Sequence, residues 1–294
     1  MEKRAGSARE CALKTLFKIE QDGAYSNIAL KDTLRGSTLA PADKGLVTTL
    51  VYGCVRYRRY LDSIIAQFSS VKLKKLSLPV LLLLRLGTYQ IMKLDRVPDR
   101  AAVDECVKLA GRYAYRSKGF VNAVLRKISA QKGAIRFPEG MERLGVFYSY
   151  PDEIVNMWAS AYGEAFTEQL LAAGNESVPL TVRINALKTE KTTLIKRLLD
   201  EGVKVEELCA DGMLTLGGAD VSALPSYREG LYTPQGIGSY LAGCALAPKP
   251  GDTVMDLCAA PGGKSTHLAE LMGDRGKVYS FDLHAHKLEL IRQN

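Results

Sequence analysis

Val254-Met-Asp-Leu-Cys-Ala-Ala-Pro-Gly-Gly-Lys-Ser-Thr266, followed by Val278-Tyr-Ser-Phe-Asp-Leu283, decides the reading of the carboxy-terminal half. It predicts a buried strand, a tight Pro-Gly-Gly turn, a helix, and a second strand ending in an acid. A glycine turn between strand and helix lets backbone N–H groups approach a ligand, and the helix N-terminus adds positive potential there. Asp282 stands twenty residues after Gly262, the spacing of a carboxylate that accepts hydrogen bonds from a ribose. Together they predict half of a nucleoside-cofactor pocket. The competing reading is a plain strand–turn–helix with no ligand.

Three motifs compete for the segment. A dinucleotide fingerprint needs G-x-G-x-x-G, but Gly262 and Gly263 are adjacent. A P-loop needs its first glycine where Cys258 stands, and a cysteine on a strand cannot wrap phosphate with consecutive amides. Asp256-Leu-Cys-Ala-Ala-Pro-Gly-Gly-Lys264 instead resembles the cofactor loop of S-adenosylmethionine-dependent RNA cytosine-C5 methyltransferases. The resemblance implies S-adenosyl-L-methionine as cofactor. It implies methionine-side contacts from Cys258, Ala259, Ala260, Pro261, Gly262, Gly263 and Lys264, and a ribose contact from Asp282.

Charge is divided unevenly. Residues 1–132 carry 25 Lys and Arg against 11 Asp and Glu, a net of +14, whereas residues 133–294 carry 15 against 21. A half this positive predicts a polyanionic partner, and RNA is the expected one. The alternative is a solvated basic helical face. The six cysteines lack any C-x-x-C pair, which excludes a zinc ribbon and a disulfide framework, and His284 and His286 read as solvated surface residues. Met1-Glu-Lys-Arg-Ala-Gly-Ser7 has no apolar signal core, and Leu78–Leu86 is too short for a membrane span. A cytoplasmic protein without membrane or metal is expected; the oligomeric state stays open.

The basic half reads as all helix. Ala8 to Glu20 places Ala8, Ala12, Leu16 and Ile19 on one stripe, and Pro41-Ala-Asp-Lys opens one long helix running past Leu50 and Cys54 to Ile65 and Phe68. Helices follow from Pro79 to Leu94, from Asp99 to Gly111, and from Lys118, with Phe120, Val124 and Ile128 inward. Arg56-Tyr-Arg-Arg-Tyr60 and Lys118-Gly-Phe-Val-Asn-Ala-Val-Leu-Arg126 resemble segments of the NusB-like RNA-binding domain. Arg56, Arg58, Arg59, Lys118 and Arg126 are the expected RNA contacts, with Arg58 and Arg59 foremost. Tyr57 and Tyr60 are open to two readings, stacking on bases or core packing.

Residues 133–150 read as a connector, and Tyr150-Pro-Asp-Glu caps a helix through Trp158. A strand at Pro179-Leu-Thr-Val-Arg-Ile-Asn185, a helix from Thr192 to Glu201, and strands at 203–208 and 212–217 form a small α/β module. Taken whole, the chain resembles the amino-terminal two-thirds of the Fmu/Sun-type bacterial small-subunit rRNA cytosine-C5 methyltransferases. The implied organisation is multi-domain. An all-α NusB-like bundle over 1–132 and the connector over 133–150 precede a small α/β insert over 151–225. A truncated Rossmann-like methyltransferase domain over 226–294 closes the chain. The Tyr232-Thr-Pro-Gln235-Gly-Ile-Gly-Ser239 stretch has Gly236 where the family places an acid, so no role is assigned to it.

The family chemistry needs a cysteine thiolate at cytosine C6, so that C5 attacks the sulfonium methyl. The resemblance implies a nucleophile in a Thr-Cys pair and a second cysteine in a Pro-Cys pair, and neither pair occurs. No catalytic residue is therefore expected within the chain, and the nucleophile is expected beyond Asn294, in a shortened gene or on another chain. Three functions stand at this point: an rRNA cytosine methyltransferase fragment inactive alone, a non-enzymatic antitermination-like RNA binder, and a methyltransferase acting on another substrate. The net of +14 disfavours the third.

Overall fold

The computed structural model describes residues 7–35, 37–176, 178–208, 211–217 and 221–294. Two compact units divide at Glu176 and Ser177, within the 151–225 span read as one insert.

The first unit is helical. Its helices are α1 (Ala8–Asp22), α2 (Ser26–Arg35), α3 (Pro41–Arg56), α4 (Arg58–Phe68), α5 (Leu78–Lys93), α6 (Asp99–Tyr113), α7 (Lys118–Ala130), α8 (Gly140–Tyr148), α9 (Asp152–Tyr162) and α10 (Glu164–Asn175). The Ser7 hydroxyl accepts the Glu10 N–H to start α1, and Gly23 in the left-handed region ends it. Helix α5 is apolar all round and forms the centre, with Val80, Leu82, Leu83, Leu84 and Leu86 at 2 % exposure or less. Each such side chain contributes roughly 1.5–3 kcal/mol by leaving water. Arg85 interrupts that run without a solvent path. Its guanidinium is bidentate to Asp62 at 2.7 Å and meets Glu20 at 3.3 Å, so the buried charge is paired.

The long helix expected from Pro41 to Phe68 is broken. It stops at Arg56 and restarts at Arg58, with Tyr57 at φ −95°, ψ 19°. Packing explains the break: Tyr57 stacks on Tyr89 at 6.2 Å, and the Arg59 N–H donates to Ser149 Oγ at 2.9 Å. The stretch read as a connector contains α8, anchored by Phe147 against Tyr60 and Phe137. Helices α2, α8 and α10 were not expected from the sequence.

The second unit holds β1 (Leu180–Ile184), α11 (Lys191–Asp200), β2 (Lys204–Glu207), β3 (Met213–Gly217), α12 (Pro225–Arg228), β4 (Tyr232–Pro234), α13 (Ile237–Leu246), β5 (Thr253–Asp256), α14 (Gly263–Leu271), β6 (Lys277–Ser280) and α15 (Leu288–Gln293). The first four strands form an antiparallel sheet in the order β2-β3-β1-β4. Alternation along β1 sends Val182 and Ile184 into a cluster with Leu194 and Leu198 of α11, while Thr181 and Arg183 point to the opposite face. Strands β5 and β6 pair in parallel, Thr253 opposite Lys277 through Asp256 opposite Ser280. One face of that pair is open: Met255 is 61 % exposed and Tyr279 49 %.

Candidate functional site

The predicted cofactor loop joins β5 to α14. Asp256, the last residue of β5, holds both ends of it. One carboxylate oxygen accepts the Cys258 N–H at 3.3 Å, and the other accepts the Ser265 hydroxyl at 2.8 Å. The strand ladder continues into the loop, with Phe281 N–H donating to Asp256 O and Ala259 N–H to Phe281 O, each at 2.8 Å. Cys258 is exposed, and Ala259 is buried. The Ala260 N–H donates to Asp282 Oδ2 at 3.3 Å, so the loop and the predicted ribose acid meet. The His284 N–H, the Lys287 charge and the Ala260 N–H hold the Asp282 carboxyl below its ordinary range, keeping it ionised.

Gly262 precedes α14 at φ 112°, a conformation that glycine tolerates best. The close approach there comes from the protein itself, since a Cβ at Gly262 would lie 3.2 Å from Ile291 Cα of α15. Among the described residues no side chain caps α14, and its first helical bond is Thr266 N–H to Gly262 O at 2.9 Å. The Gly263 and Lys264 N–H groups are thus available to an anion.

Beside the loop lies a buried network that the sequence did not reveal. Arg183, 1 % exposed, donates from Nε and Nη2 to Glu270 at 2.8 and 2.7 Å. Its Nη1 donates to Gln235 Oε1 and to Gly263 O, both at 2.7 Å, and Nη2 reaches Thr266 Oγ1 at 3.1 Å. Gln235 belongs to the segment given no role, yet its Nε2 also donates to Gly263 O at 3.2 Å. On α14, His267 is 2 % exposed and stacks on Tyr240 at 4.7 Å, with Gly243 making room for the ring. Burial, helped by the Arg183 charge, depresses its pKa to about 4.

In the first unit the predicted RNA contacts separate into two groups. Arg59 is bidentate to Asp152 at 2.7 and 2.9 Å and also donates to Tyr150 O at 2.7 Å, which leaves little for a phosphate. Arg58 meets Glu20 at 3.2 Å, and Arg56 donates to Asn175 O at 3.2 Å. Tyr60 is 5 % exposed, stacked on Phe137, and Lys93 lies 4.5 Å over both the Tyr57 and Tyr60 rings, so these tyrosines are core packing. Lys118 and Arg126, both on α7, form no ion pair among the described residues. Arg126 donates only to its neighbour Asn122, at 3.1 Å. Arg116 and Tyr115 stand just before Lys118, and Tyr115 is 77 % exposed. An aromatic followed by two cations in Tyr115-Arg-Ser-Lys118 is the sequence signal, and no periodicity marks it.

Three family profiles match successive stretches: the NusB family at residues 6–130, the RsmF/B-like ferredoxin-like domain at 150–222, and 16S rRNA methyltransferase RsmB/F at 243–294. The second and third of these stretches are thus similar to the RsmB/F family. The βαββαβ succession with strand order β4-β1-β3-β2 is a ferredoxin-like arrangement, and the helices of residues 6–130 are those that the NusB profile matches. The probable ribosomal RNA small subunit methyltransferase B of Bacillus subtilis is 38% identical over 293 residues, covering 98% of this chain and 65% of the relative. The protein of the same description from Synechocystis is 35% identical, covering 96% and 65%. The chain thus spans about 65% of the length of these relatives. Its fold is similar to the crystal structure of PH0851, with a TM-score of 0.75 at 23% identity over 97% of this chain and 65% of that one. No helix among the described residues is long and apolar enough to cross a membrane, and none of them form a cluster able to hold a metal.

Proposed function

We propose that this chain is a member of the RsmB/F family and supplies the RNA-binding and cofactor-binding parts of an S-adenosyl-L-methionine-dependent methyltransferase acting on cytosine C5 of small-subunit rRNA. The observation that carries this reading is the meeting of the 257–262 loop with Asp282 through the Ala260 N–H. It lies at the carboxyl ends of two parallel strands, where open α/β sheets take their ligands. The residues suit the cofactor. Uncapped N–H groups of Gly263 and Lys264 fit the carboxylate of its methionine end, and an ionised Asp282 accepts from ribose hydroxyls. When bound, the cofactor supplies the methyl group on its sulfonium.

The RNA surface is proposed to centre on Tyr115, Arg116, Lys118 and Arg126, which combine a stacking ring with unpaired cations. A cytoplasmic location is proposed along with such a partner. The division into 1–132, 133–150, 151–225 and 226–294 is proposed as the division of labour: RNA binding, connection, support and cofactor binding.

The described cysteines support the view that the chain is inactive alone. Burial raises the Cys106 thiol to about 12 and raises those of Cys54 and Cys11, so none is a thiolate at neutral pH. Cys258 belongs to the cofactor loop, Cys244 is exposed but lies outside the motifs that carry the resemblance, and Cys209 lies outside the described residues. Calorimetry with S-adenosylhomocysteine tests the cofactor reading. Weak binding that Asp282→Ala abolishes is the expected result, and binding indifferent to Asp282 overturns it.

A further inference from the structure

We infer that Arg183 and Asn294 are positioning residues, fixing two carbonyls of the cofactor loop from opposite flanks so that the turn between them offers its amides to the methionine end of the cofactor. The inference rests on the cofactor reading above and goes beyond it by assigning work to residues outside the loop. Asn294 Nδ2 donates to Pro261 O at 2.7 Å, and Arg183 Nη1 donates to Gly263 O at 2.7 Å. Between these two anchored carbonyls lies only Gly262, whose own carbonyl is taken by the Thr266 N–H at 2.9 Å and the Thr266 hydroxyl at 3.2 Å.

Every acceptor of the turn is therefore occupied from the protein side, while the Gly263 and Lys264 donors are not. Because a peptide plane carries C=O and N–H on opposite edges, fixing the Gly263 carbonyl also fixes the Lys264 N–H, pointing away from Arg183. The Gly262 N–H closes the turn onto Ala259 O at 2.7 Å, and those of Gly263 and Lys264 meet no acceptor among the described residues. The anchors are themselves rigid or closely seated. Arg183 cannot swing, since Glu270, Gln235 and Thr266 take its other donors. Asn294 sits where the glycine lets α15 approach, its Cβ 3.4 Å from where a Gly262 Cβ would lie. A pre-organised set of donors binds an anion without the cost of ordering the loop.

The test titrates the 294-residue protein, labelled with 15N, with millimolar S-adenosylhomocysteine and separately with adenosine, reading the glycine amide signals. In the wild type the Gly263 signal is expected to move with S-adenosylhomocysteine and not with adenosine. Asn294→Asp keeps the shape and removes the donor, and Arg183→Lys keeps the charge and removes the fork. Each is expected to raise the dissociation constant for S-adenosylhomocysteine about tenfold and leave that for adenosine unchanged. Should Arg183→Lys fail to fold, Asn294→Asp, at an exposed site, still decides. Equal loss of both ligands, or loss of neither, overturns the inference while the cofactor reading stands. A wild type that binds S-adenosylhomocysteine not at all overturns both.

Discussion

Arg183 and Glu270 lie 87 residues apart in sequence and close into a bidentate pair whose side chains are 2 % and 8 % exposed. The pair joins β1 of the antiparallel sheet to α14, which starts at the proposed cofactor loop. Strand pairing and helix packing thus share one electrostatic contact.

Removing one partner strands the other charge in a dry environment. Glu270→Ala should therefore destabilise the second unit by about 3–5 kcal/mol. The double change Arg183→Met with Glu270→Leu should cost less than the sum of the single changes, because no charge is left unpaired. Urea denaturation of the four proteins measures both quantities, and strict additivity would contradict the coupling.

His267 predicts a pH dependence of definite sign. Its folded pKa of about 4 lies below the ordinary 6.5, so the fold favours the neutral ring. Its contribution is present above about pH 6.5 and is lost as pH falls towards 4, where the unfolded chain takes up a proton that the folded one refuses. The loss is on the order of 3 kcal/mol for a shift this large. The ring faces Tyr240 of α13, with Arg183 of β1 as the nearby charge that adds to the effect. His267→Phe should flatten the stability profile between pH 6.5 and 4, as read by thermal melts across that range. An unchanged profile would assign the acid sensitivity to other groups.

These contacts show which parts of the molecule were legible beforehand. Helical stripes such as Ala102, Cys106 and Leu109 announce themselves because one face repeats every 3.6 residues. The Pro261-Gly-Gly263 turn and Asp282 are local motifs, read from short stretches of sequence, and the Ala260 N–H just before the turn donates to Asp282. Arg183 was invisible for the opposite reason: within Leu180-Thr-Val-Arg-Ile184 an arginine on alternate positions reads as solvent-facing, and its partner is far away in sequence. The break at Tyr57 was equally hidden, since an aromatic fits a helical stripe whether the chain continues or turns. The pairing of Arg59 with Asp152, 93 positions later, was hidden as well, since nothing near either residue in sequence announces it.

RNA affinity should fall linearly with salt on logarithmic axes, and changing Arg116 and Lys118 to Ala should reduce the slope by roughly one for each cation removed. Tyr115→Ala should weaken binding by about 1–3 kcal/mol with the slope unchanged, because stacking releases no counterions. Filter binding with an unpaired rRNA loop at several salt concentrations separates the two effects. Arg59→Ala should instead lower thermal stability, by removing its hydrogen bonds to Tyr150 and Asp152.

Incubating the chain with cofactor and RNA containing 5-fluorocytosine should leave no covalent adduct on a denaturing gel. The buried thiols of Cys54 and Cys106 are protonated and out of reach of a base. An adduct removed by any single Cys→Ala change would identify a nucleophile among the residues present.

The close approach of Gly262 to Ile291 changes what a glycine in such a loop can be taken to mean. Its hydrogen is turned toward a neighbouring helix, so the demand for a residue without a side chain comes from the architecture and not from the guest molecule. A descendant that binds nothing at this loop would remain obliged to keep Gly262 for as long as α15 stayed in place. Retention of this residue therefore reports an intact scaffold.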